Sequence, residues 1–257
     1  NATTNHYFST DTLGYFQAQQ RAVTKEDYIT RVYALPPKYG NIAKAYIVQD
    51  SQIDPEASIA DASAGKIFNP LAMNLYLLGF NASKKLMKVN QAVKENVQTY
   101  LTQFRMITDA INIKDAFVIN IGVKFNLITR AGYNKEQVVL QAIDIVKDYF
   151  EIDKWQIGQP IVLSDLAYQI SLVDGVTAVV SPEDPEEDSS TNNRPPIQIV
   201  NKFNTGNGYS GNLYDIKTAT VEGVVYPSAD PSCFELKFPT VDIEGKVVGD
   251  SMGGANG

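Results

Sequence analysis

The chain has 257 residues, of which 44% are hydrophobic and 20% are charged, and its formal net charge is −7. This composition is typical of a globular protein with a substantial core, and no apolar run approaches the roughly 18 residues of a membrane span. The excess of acidic residues argues against a nucleic acid as a partner. The single cysteine, Cys233, excludes an internal disulfide and fits synthesis in a reducing cytosol.

The first elements in chain order are an arm and a helix. Residues 1–20 show no regular hydrophobic period and hold the only histidine, His6. We predict that they form an N-terminal arm that needs a neighbour. Thr24 and Asp27 have the spacing of a capping box, which predicts a helix over residues 25–35.

A long period-two segment over residues 116–128 lies between two helical patterns. Apolar residues at helical spacing predict a helix over residues 89–104. Asn134, followed by Gln137, predicts the start of a second helix that ends near residue 150. Further strands are predicted at residues 41–49, 73–80 and 176–181, and a loop is predicted at residues 51–70. These strands are expected to join the long segment in one mixed sheet covered by the helices.

Within the long segment, apolar and polar side chains alternate, which predicts a strand with one buried face and one solvent-exposed face. The buried face is expected to hold Phe117, Ile119, Ile121, Val123, Phe125 and Leu127. The solvent-exposed face is expected to hold Asn120, Gly122, Lys124 and Asn126, none of which is then a candidate catalyst. Replacement of Ile121 by alanine is therefore expected to destabilise the fold far more than replacement of Asn120.

The second half of the chain begins with a helix that Ser164 is predicted to cap and that Gly175 ends. Residues 183–196, which are acidic and rich in proline, are predicted to form a loop or linker. Short strands are then predicted at residues 197–201, 218–226, 234–238 and 241–248. The predicted fold is α+β: a mixed-sheet domain over residues 21–182, then the linker, then a β-rich unit over residues 197–257 with a disordered Gly-rich end.

The Gly-rich end contains a pattern found around catalytic serines. Gly249-Asp-Ser-Met-Gly-Gly254 matches a nucleophile elbow, which needs a strand before the serine and a helix after it. Only six residues follow Ser251, and no histidine lies beyond it. We therefore predict no catalytic residue here, and keep a serine hydrolase using Ser251 as an alternative function.

Other candidate sites are weaker. The acids of residues 183–188 lack the alternating spacing of a calcium loop, which favours a solvated loop. The glycines of residues 206–211 lack the lysine of a P-loop, which favours a flexible turn. Cys233 is predicted to be a small buried side chain rather than a reactive thiol. Neither a metal nor a cofactor is predicted, although a pair of carboxylates that meets only in the fold stays open.

The chain is rich in aromatic side chains, with 14 tyrosines and 11 phenylalanines. Half of them would be accounted for by an ordinary core. An aromatic surface without a catalytic group favours a protein interface. A module that binds cell-surface carbohydrate through its aromatics is kept as a second alternative.

Several segments resemble a known family. The segment Arg21-Ala-Val-Thr-Lys-Glu-Asp-Tyr28 resembles the opening of the baseplate J-like family of contractile tails. Later segments resemble the wedge proteins of T-even-type phages within it: Leu75-Tyr-Leu-Leu-Gly-Phe80, Tyr100-Leu-Thr-Gln-Phe-Arg-Met-Ile-Thr-Asp109, Phe117-Val-Ile-Asn-Ile-Gly-Val123, Tyr149-Phe150, Trp155-Gln-Ile-Gly-Gln-Pro-Ile161, Phe234-Glu-Leu-Lys-Phe-Pro239 and Asp242-Ile-Glu-Gly245. The resemblance spans about residues 21 to 250, and residues 71–161 are its specific part.

The resemblance implies a structural protein without enzymatic activity. It implies that the chain is the C-terminal portion of a wedge protein, pairs with a second copy of itself, forms a ring around the tail hub and binds other wedge proteins. It also implies a place in the virion tail baseplate after assembly in the host cytoplasm, and a role in coupling host contact to sheath contraction. The family has no catalytic residues to assign to positions of this chain. Composition and charge, as argued above, predict neither a nucleic acid nor a membrane as a partner.

Overall fold

The computed structural model describes residues 22–49, 72–105, 110–182 and 195–251. The chain forms two compact units, Asn1–Ala116 and Phe117–Gly257. The predicted α+β class is confirmed, because both units combine helices with sheets. The division differs from the predicted organisation, which separated residues 21–182 from residues 197–257. The arm at residues 1–20, the loop at residues 51–70 and most of the acidic linker lie outside the described residues.

In its described residues, the first unit is a sheet with two α-helices. Its helices are α1 (Lys25–Tyr33) and α2 (Gln91–Thr102), and its strands are β1 (Ile42–Gln49), β2 (Ala72–Phe80), β3 (Leu86–Met87) and β4 (Ala110–Asp115). Strand β2 is central: it pairs antiparallel with β1 and β3 and parallel with β4. The predicted strands at residues 41–49 and 73–80 therefore exist, but they form a sheet of their own.

Helix α1 begins where the sequence predicted it. The Thr24 hydroxyl accepts a hydrogen bond from the Asp27 amide, and the Asp27 carboxylate accepts from the Thr24 amide at 2.9 Å, so the capping box is complete. Tyr28 and Val32 of this helix pack with Val97 of α2 and with residues of β1 and β2 in one buried core. The predicted helix over residues 89–104 is confirmed in its position and its buried stripe.

The second unit is built around one long strand. Its longer elements are β5 (Phe117–Arg130), α3 (Lys135–Tyr149), α4 (Leu163–Ser171), β7 (Val176–Val180), β8 (Ile197–Asn201), β11 (Ser232–Glu235) and β12 (Ile243–Ser251). Its shorter elements are β6 (Ile161–Val162), α5 (Ile216–Ala219), β9 (Thr220–Val221), β10 (Val224–Val225) and α6 (Pro239–Asp242). Strands β6, β10 and β9 form a small separate sheet.

Strand β5 is the centre of a five-stranded mixed sheet. On one side it pairs in parallel first with β11 and then with β12, and on the other side it pairs antiparallel with β8 and then with β7. Three of these four partners come from residues 197–251, so the predicted β-rich segments complete the sheet of β5. The prediction of one sheet containing both β2 and β5 is wrong. The ladders explain why, because both long edges of β5 are occupied by strands of the second unit.

The predicted solvent-exposed face of β5 is also wrong. Asn120 is fully buried, Gly122 is buried and Asn126 is only 9% exposed, whereas Phe117, which was expected in the core, is 40% exposed. The opposite face is buried as predicted, with Ile121, Val123, Phe125 and Leu127 fully buried. A central strand covered on both faces has no wet side, so polar residues on it must be hydrogen-bonded within the protein.

Three local features differ from the sequence prediction or refine it. Helix α4 begins at Leu163 after the N-cap residue Val162, and no side chain caps it, so Ser164 is not the cap. Asn134 does cap α3, and Gly175, with φ +92, separates α4 from β7, both as predicted. Strand β12 continues through Ser251 and therefore includes the first residues of the predicted Gly-rich end.

Candidate functional site

A buried polar cluster surrounds Asn120 on β5. The Asn120 side-chain amide donates to Oε2 of Glu235 at 2.8 Å, and both residues are buried. The Asn120 side-chain carbonyl accepts from the Ser210 amide at 2.7 Å. One buried asparagine therefore joins β5 to β11 and to the segment that follows β8.

That segment, residues 202–215, completes the hydrogen bonding of β5 where β8 ends. The Lys202 amide donates to the Asn120 backbone carbonyl at 2.8 Å, which is the last bond of the ladder. The next carbonyl on this edge, that of Val118, accepts from the Ser210 hydroxyl at 2.7 Å and from the Asn212 side chain at 2.8 Å. Side chains thus supply the donors that a longer β8 would have supplied from its backbone.

A second buried carboxylate fastens the other end of the cluster. Asp242 of α6 is 1% exposed; it accepts from the Tyr209 hydroxyl and, at 2.8 Å, from the Phe238 amide. The Tyr209 and Phe238 rings contact each other edge to face at 5.4 Å between centroids. Burial, the hydrogen bond to Asp242 and the charge of Asp242 raise the pKa of Tyr209 to about 12.

The polar groups of this cluster stabilise the fold. The oxygens of Glu235 and Asp242 accept from groups of the fold, and the donors on residues 202–215 point inward at β5 and α6. Within the described ranges, no group of three His, Cys, Asp or Glu side chains could hold a metal ion. The arrangement fixes a glycine-rich segment in one conformation, which is how a surface loop becomes a rigid one.

The sequence-predicted candidates are dispersed. Ser251 is the last residue of β12 and is in register with Arg130 of β5. His6 lies outside the described residues. Cys233, on β11, is 1% exposed, as predicted for a small buried side chain. Residues 206–211, expected to be a flexible turn, belong to the fastened segment through Ser210.

A groove of about 1180 Å³ lies elsewhere on the second unit. Its lining includes all five residues of β8, together with residues of α5, of the segment before α5 and of β10. Its charged lining residues are Asp215, Lys217 and Glu222. Hydrogen bonds from the Thr218 side chain and amide lower the pKa of Asp215, which therefore carries a negative charge.

Large apolar side chains lie on the outer surface of the helices of the second unit. Leu140 on α3, Tyr168 on α4 and Leu172 just after α4 are each more than 60% exposed. Tyr168 and Leu172 are four residues apart and so share one side of the helix. No helix in the described ranges has the length and apolar composition needed to cross a bilayer.

No protein-family model matches the sequence, and no curated protein does. Among solved structures, the chain is similar to one in the cryo-EM structure of the anti-feeding prophage (AFP) baseplate, 6-fold symmetrised. The two chains are 16% identical with a TM-score of 0.40, and the match covers 69% of this chain. The match covers 37% of the length of that chain.

The cluster around Asn120 was not predicted from the sequence. The alternation of apolar and polar residues along β5 had indicated that one face of the strand is exposed to solvent. Two features of the sequence could have indicated the cluster. One is the pair of asparagine side chains on β5, and the other is the run of glycine, asparagine and serine after β8. Buried asparagine needs several hydrogen-bond partners, and a glycine-rich polar segment can approach a strand closely enough to provide them.

Proposed function

We propose that the chain is a structural component of a contractile-tail baseplate, and specifically the C-terminal portion of a wedge protein. Its role is to self-associate around the tail hub and to bind neighbouring wedge proteins, helping to couple host contact to sheath contraction. The segment resemblance over residues 71–161 supports the family. The buried carboxylates support a non-enzymatic role, since they bond to groups of the fold.

The observation that carries the proposal is the apolar outer surface of α4. Tyr168 and Leu172 are 62% and 63% exposed and lie on one side of the helix. Aromatic and large aliphatic side chains that share an exposed surface are typical of a protein interface. We therefore assign self-association to this side of α4.

The test is the oligomeric state of this chain, measured by light scattering behind a sizing column at tens of micromolar protein. The expected result is a dimer that the double variant Tyr168→Ser/Leu172→Ser converts to a monomer. Val221→Ser removes another exposed apolar side chain, on β9, and is the matched control that should stay dimeric. A monomer at every concentration, or a dimer that the double variant does not change, would contradict this assignment.

The two rival functions have direct tests. A fluorophosphonate probe should leave Ser251 unlabelled, whereas labelling would indicate a serine hydrolase. A glycan array should stay blank, whereas binding to particular sugars would indicate a carbohydrate-binding tail module. Co-purification with the other wedge proteins of the same phage, lost in the double variant, would support the baseplate role.

A further inference from the structure

Asn207 lies in the segment of residues 202–215, and both Asn207 and the glycine that follows it, Gly208, are exposed. Asparagine before glycine is prone to deamidation, because a residue without a side chain leaves its amide nitrogen free to attack the preceding side chain. We propose that Asn207 is a site of spontaneous deamidation that stays unreactive while this segment is closed on β5 and α6. The inference goes beyond the proposed function and does not depend on it, because it rests on the chemistry of one peptide bond.

Deamidation takes two steps, and water is its co-reactant. In the first step the Gly208 nitrogen forms a bond to Cγ of Asn207, the bond from Cγ to Nδ2 breaks, and Nδ2 leaves as ammonia with the Gly208 amide proton. The product is a five-membered succinimide ring. In the second step water opens the ring at one of its two carbonyls, which gives aspartate or isoaspartate at position 207. The reaction needs neither an oxidant nor a catalyst.

Two backbone hydrogen bonds oppose the first step in the folded chain. The Gly208 amide, which is the nucleophile, donates to the Thr205 carbonyl at 2.9 Å, and the Asn207 amide donates to the Asn204 carbonyl at 3.1 Å. These bonds belong to a 3-10 turn over Thr205–Asn207, which Gly208 ends in the left-handed region at φ +84. The ring closes only after the Asn207 backbone leaves the helical conformation and the Gly208 amide gives up its bond. The turn must therefore open before Asn207 reacts.

The two residues after Gly208 hold the turn closed. The Tyr209 hydroxyl donates to Asp242, and the Ser210 amide donates to Oδ1 of Asn120 at 2.7 Å. Asp242 and Asn120 are both buried, so a released partner leaves a buried polar group without its bond. Opening of the turn is therefore confined to a small fraction of the molecules. Because opening is fast and the chemistry is slow, the rate of deamidation is proportional to that fraction.

The isoaspartyl product cannot re-form the turn. In isoaspartate the main chain runs through Cβ and Cγ, which adds one carbon between Cα of residue 207 and the Gly208 nitrogen. The carbonyl of residue 207 becomes a free carboxylate. A 3-10 hydrogen bond needs a fixed number of main-chain atoms between donor and acceptor, so the bond from Gly208 to Thr205 is lost. Deamidation thus makes a brief opening of the segment permanent.

The first experiment compares the whole chain with a synthetic peptide of residues 203–217. Trypsin releases this peptide from the chain by cleavage after Lys202 and Lys217. Both samples are incubated at neutral pH and physiological temperature, and mass spectrometry follows the conversion of the Asn207 amide to an acid. Asn204 and Asn212, which are not followed by glycine, are internal controls. We expect deamidation at Asn207 to be at least about tenfold slower in the folded chain than in the peptide.

Two tyrosine variants test what holds the turn closed. Tyr209→Phe removes the bond to Asp242 and should raise the rate at Asn207 in the folded chain at least about threefold. Tyr168→Phe removes an exposed hydroxyl on α4 and is the matched control, which should keep the native rate. Circular dichroism checks that both variants fold. Should Tyr209→Phe unfold, the native chain and the synthetic peptide still decide whether the fold protects Asn207.

A third comparison tests the effect of the product. The isoaspartyl chain is isolated by ion exchange and identified by labelling with protein isoaspartate methyltransferase. Asn207→Asp is its matched control, because it has the same added charge and an unaltered main chain. Hydrogen exchange of the Ser210 amide should be at least about tenfold faster in the isoaspartyl chain than in Asn207→Asp.

Four results would overturn the inference. They are a synthetic peptide that does not deamidate at Asn207, equal rates in the folded chain and the peptide, equal rates in folded Tyr209→Phe and Tyr168→Phe, or equal hydrogen exchange in the isoaspartyl chain and Asn207→Asp. The chain Asn207→Gln, whose longer side chain cannot close a five-membered ring, should show no change of mass in the same digest.

Discussion

Asn120 donates its side-chain amide to Oε2 of Glu235 at 2.8 Å, and the two buried side chains join the central strand β5 to its parallel neighbour β11. A buried carboxylate that loses a donor retains its desolvation penalty without the compensating bond. The same asparagine holds Ser210, so a single side chain couples the sheet to the segment that closes its edge.

Asn120→Ala should therefore destabilise the chain by about 2 to 4 kcal/mol, because it removes a donor from Glu235 and an acceptor from Ser210. Ile121→Ala, on the opposite face of the strand, should cost about 2 to 5 kcal/mol through lost burial and a cavity. The sequence alone predicted a small effect at Asn120, and the structure predicts comparable effects at both positions. Urea unfolding at neutral pH measures both.

Asn207→Ala is the matched control for the asparagine, since Asn207 is exposed in the same segment. Its effect should stay within about 0.5 kcal/mol. If Asn120→Ala were as mild as Asn207→Ala, the polar cluster would not be stabilising the second unit.

The alternation in β5 predicted the strand and one of its faces correctly, and the other face wrongly. Period two tells which residues share a face but not how many faces are covered. Coverage depends on β8, β11 and the segment after β8, which lie about 80 to 115 residues away in sequence from Asn120. Local patterns carry no information about such distant neighbours, whereas the capping box of α1 is local and was predicted completely.

Tyr209 gives a prediction about high pH. Its pKa is about 12 in the folded protein and near 10 in the unfolded chain, so the stabilisation it gives is fully present below pH 10. That stabilisation is lost as the pH rises from about 10 to about 12, because the unfolded chain loses the proton first. The free energy of unfolding should fall more steeply over this interval in the native chain than in Tyr209→Phe.

The phenylalanine variant also isolates Tyr209 from Tyr149 and Tyr214, whose pKa values burial also raises. At neutral pH, Tyr209→Phe should cost about 1 kcal/mol through the hydrogen bond to Asp242. Tyrosine absorbance, followed as the pH is raised, should show one tyrosine fewer ionising well above pH 10 in Tyr209→Phe than in the native chain. Identical pH profiles for the two proteins would mean that Tyr209 is not bonded to Asp242 in solution.

Lys94 and Asp115 form the ion pair to test in the first unit. They are 2.7 Å apart with side chains 17% and 26% exposed, and Oδ1 of Asp115 is buried without a hydrogen-bond partner among the described residues. Lys94→Met should cost about 1 to 3 kcal/mol, between the values of exposed and buried pairs. Thermal and urea unfolding of the variant measure the loss.

The comparison is Lys147→Met, which breaks the more exposed pair with Asp144 at 2.8 Å. That change should cost no more than about 0.5 kcal/mol. A double-mutant cycle with Asp115→Asn separates the coupling of the partly buried Lys94–Asp115 pair from other effects of each change. A coupling energy near zero would show that Lys94 and Asp115 do not interact in solution.

The sequence predicted strand β12 but not the strand beside it or the role of Gly245. The sequence predicted a strand at residues 241–248, but its partner could not be inferred, because parallel pairing joins segments without a tight turn. In the structure β12 lies beside β5, and Gly245 leaves room for the ring of Phe125. The glycine is thus a packing position that a local pattern records only as a weak point in a strand.

Gly245→Ala tests that packing directly. A Cβ at this position would lie 2.7 Å from Cζ of Phe125, which is fully buried, so the substitution should cost about 1 to 3 kcal/mol although alanine suits a strand better than glycine. Gly249→Ala, in the same strand with no atom within 4 Å of the added carbon, should change stability by at most about 0.5 kcal/mol.

Phe125→Leu replaces the ring by a shorter side chain, so in the double variant part of the stability lost in Gly245→Ala should be recovered. A double-mutant cycle by urea unfolding measures the recovery. If Gly245→Ala cost the same with leucine as with phenylalanine at position 125, β12 would not pack against β5 in the register described.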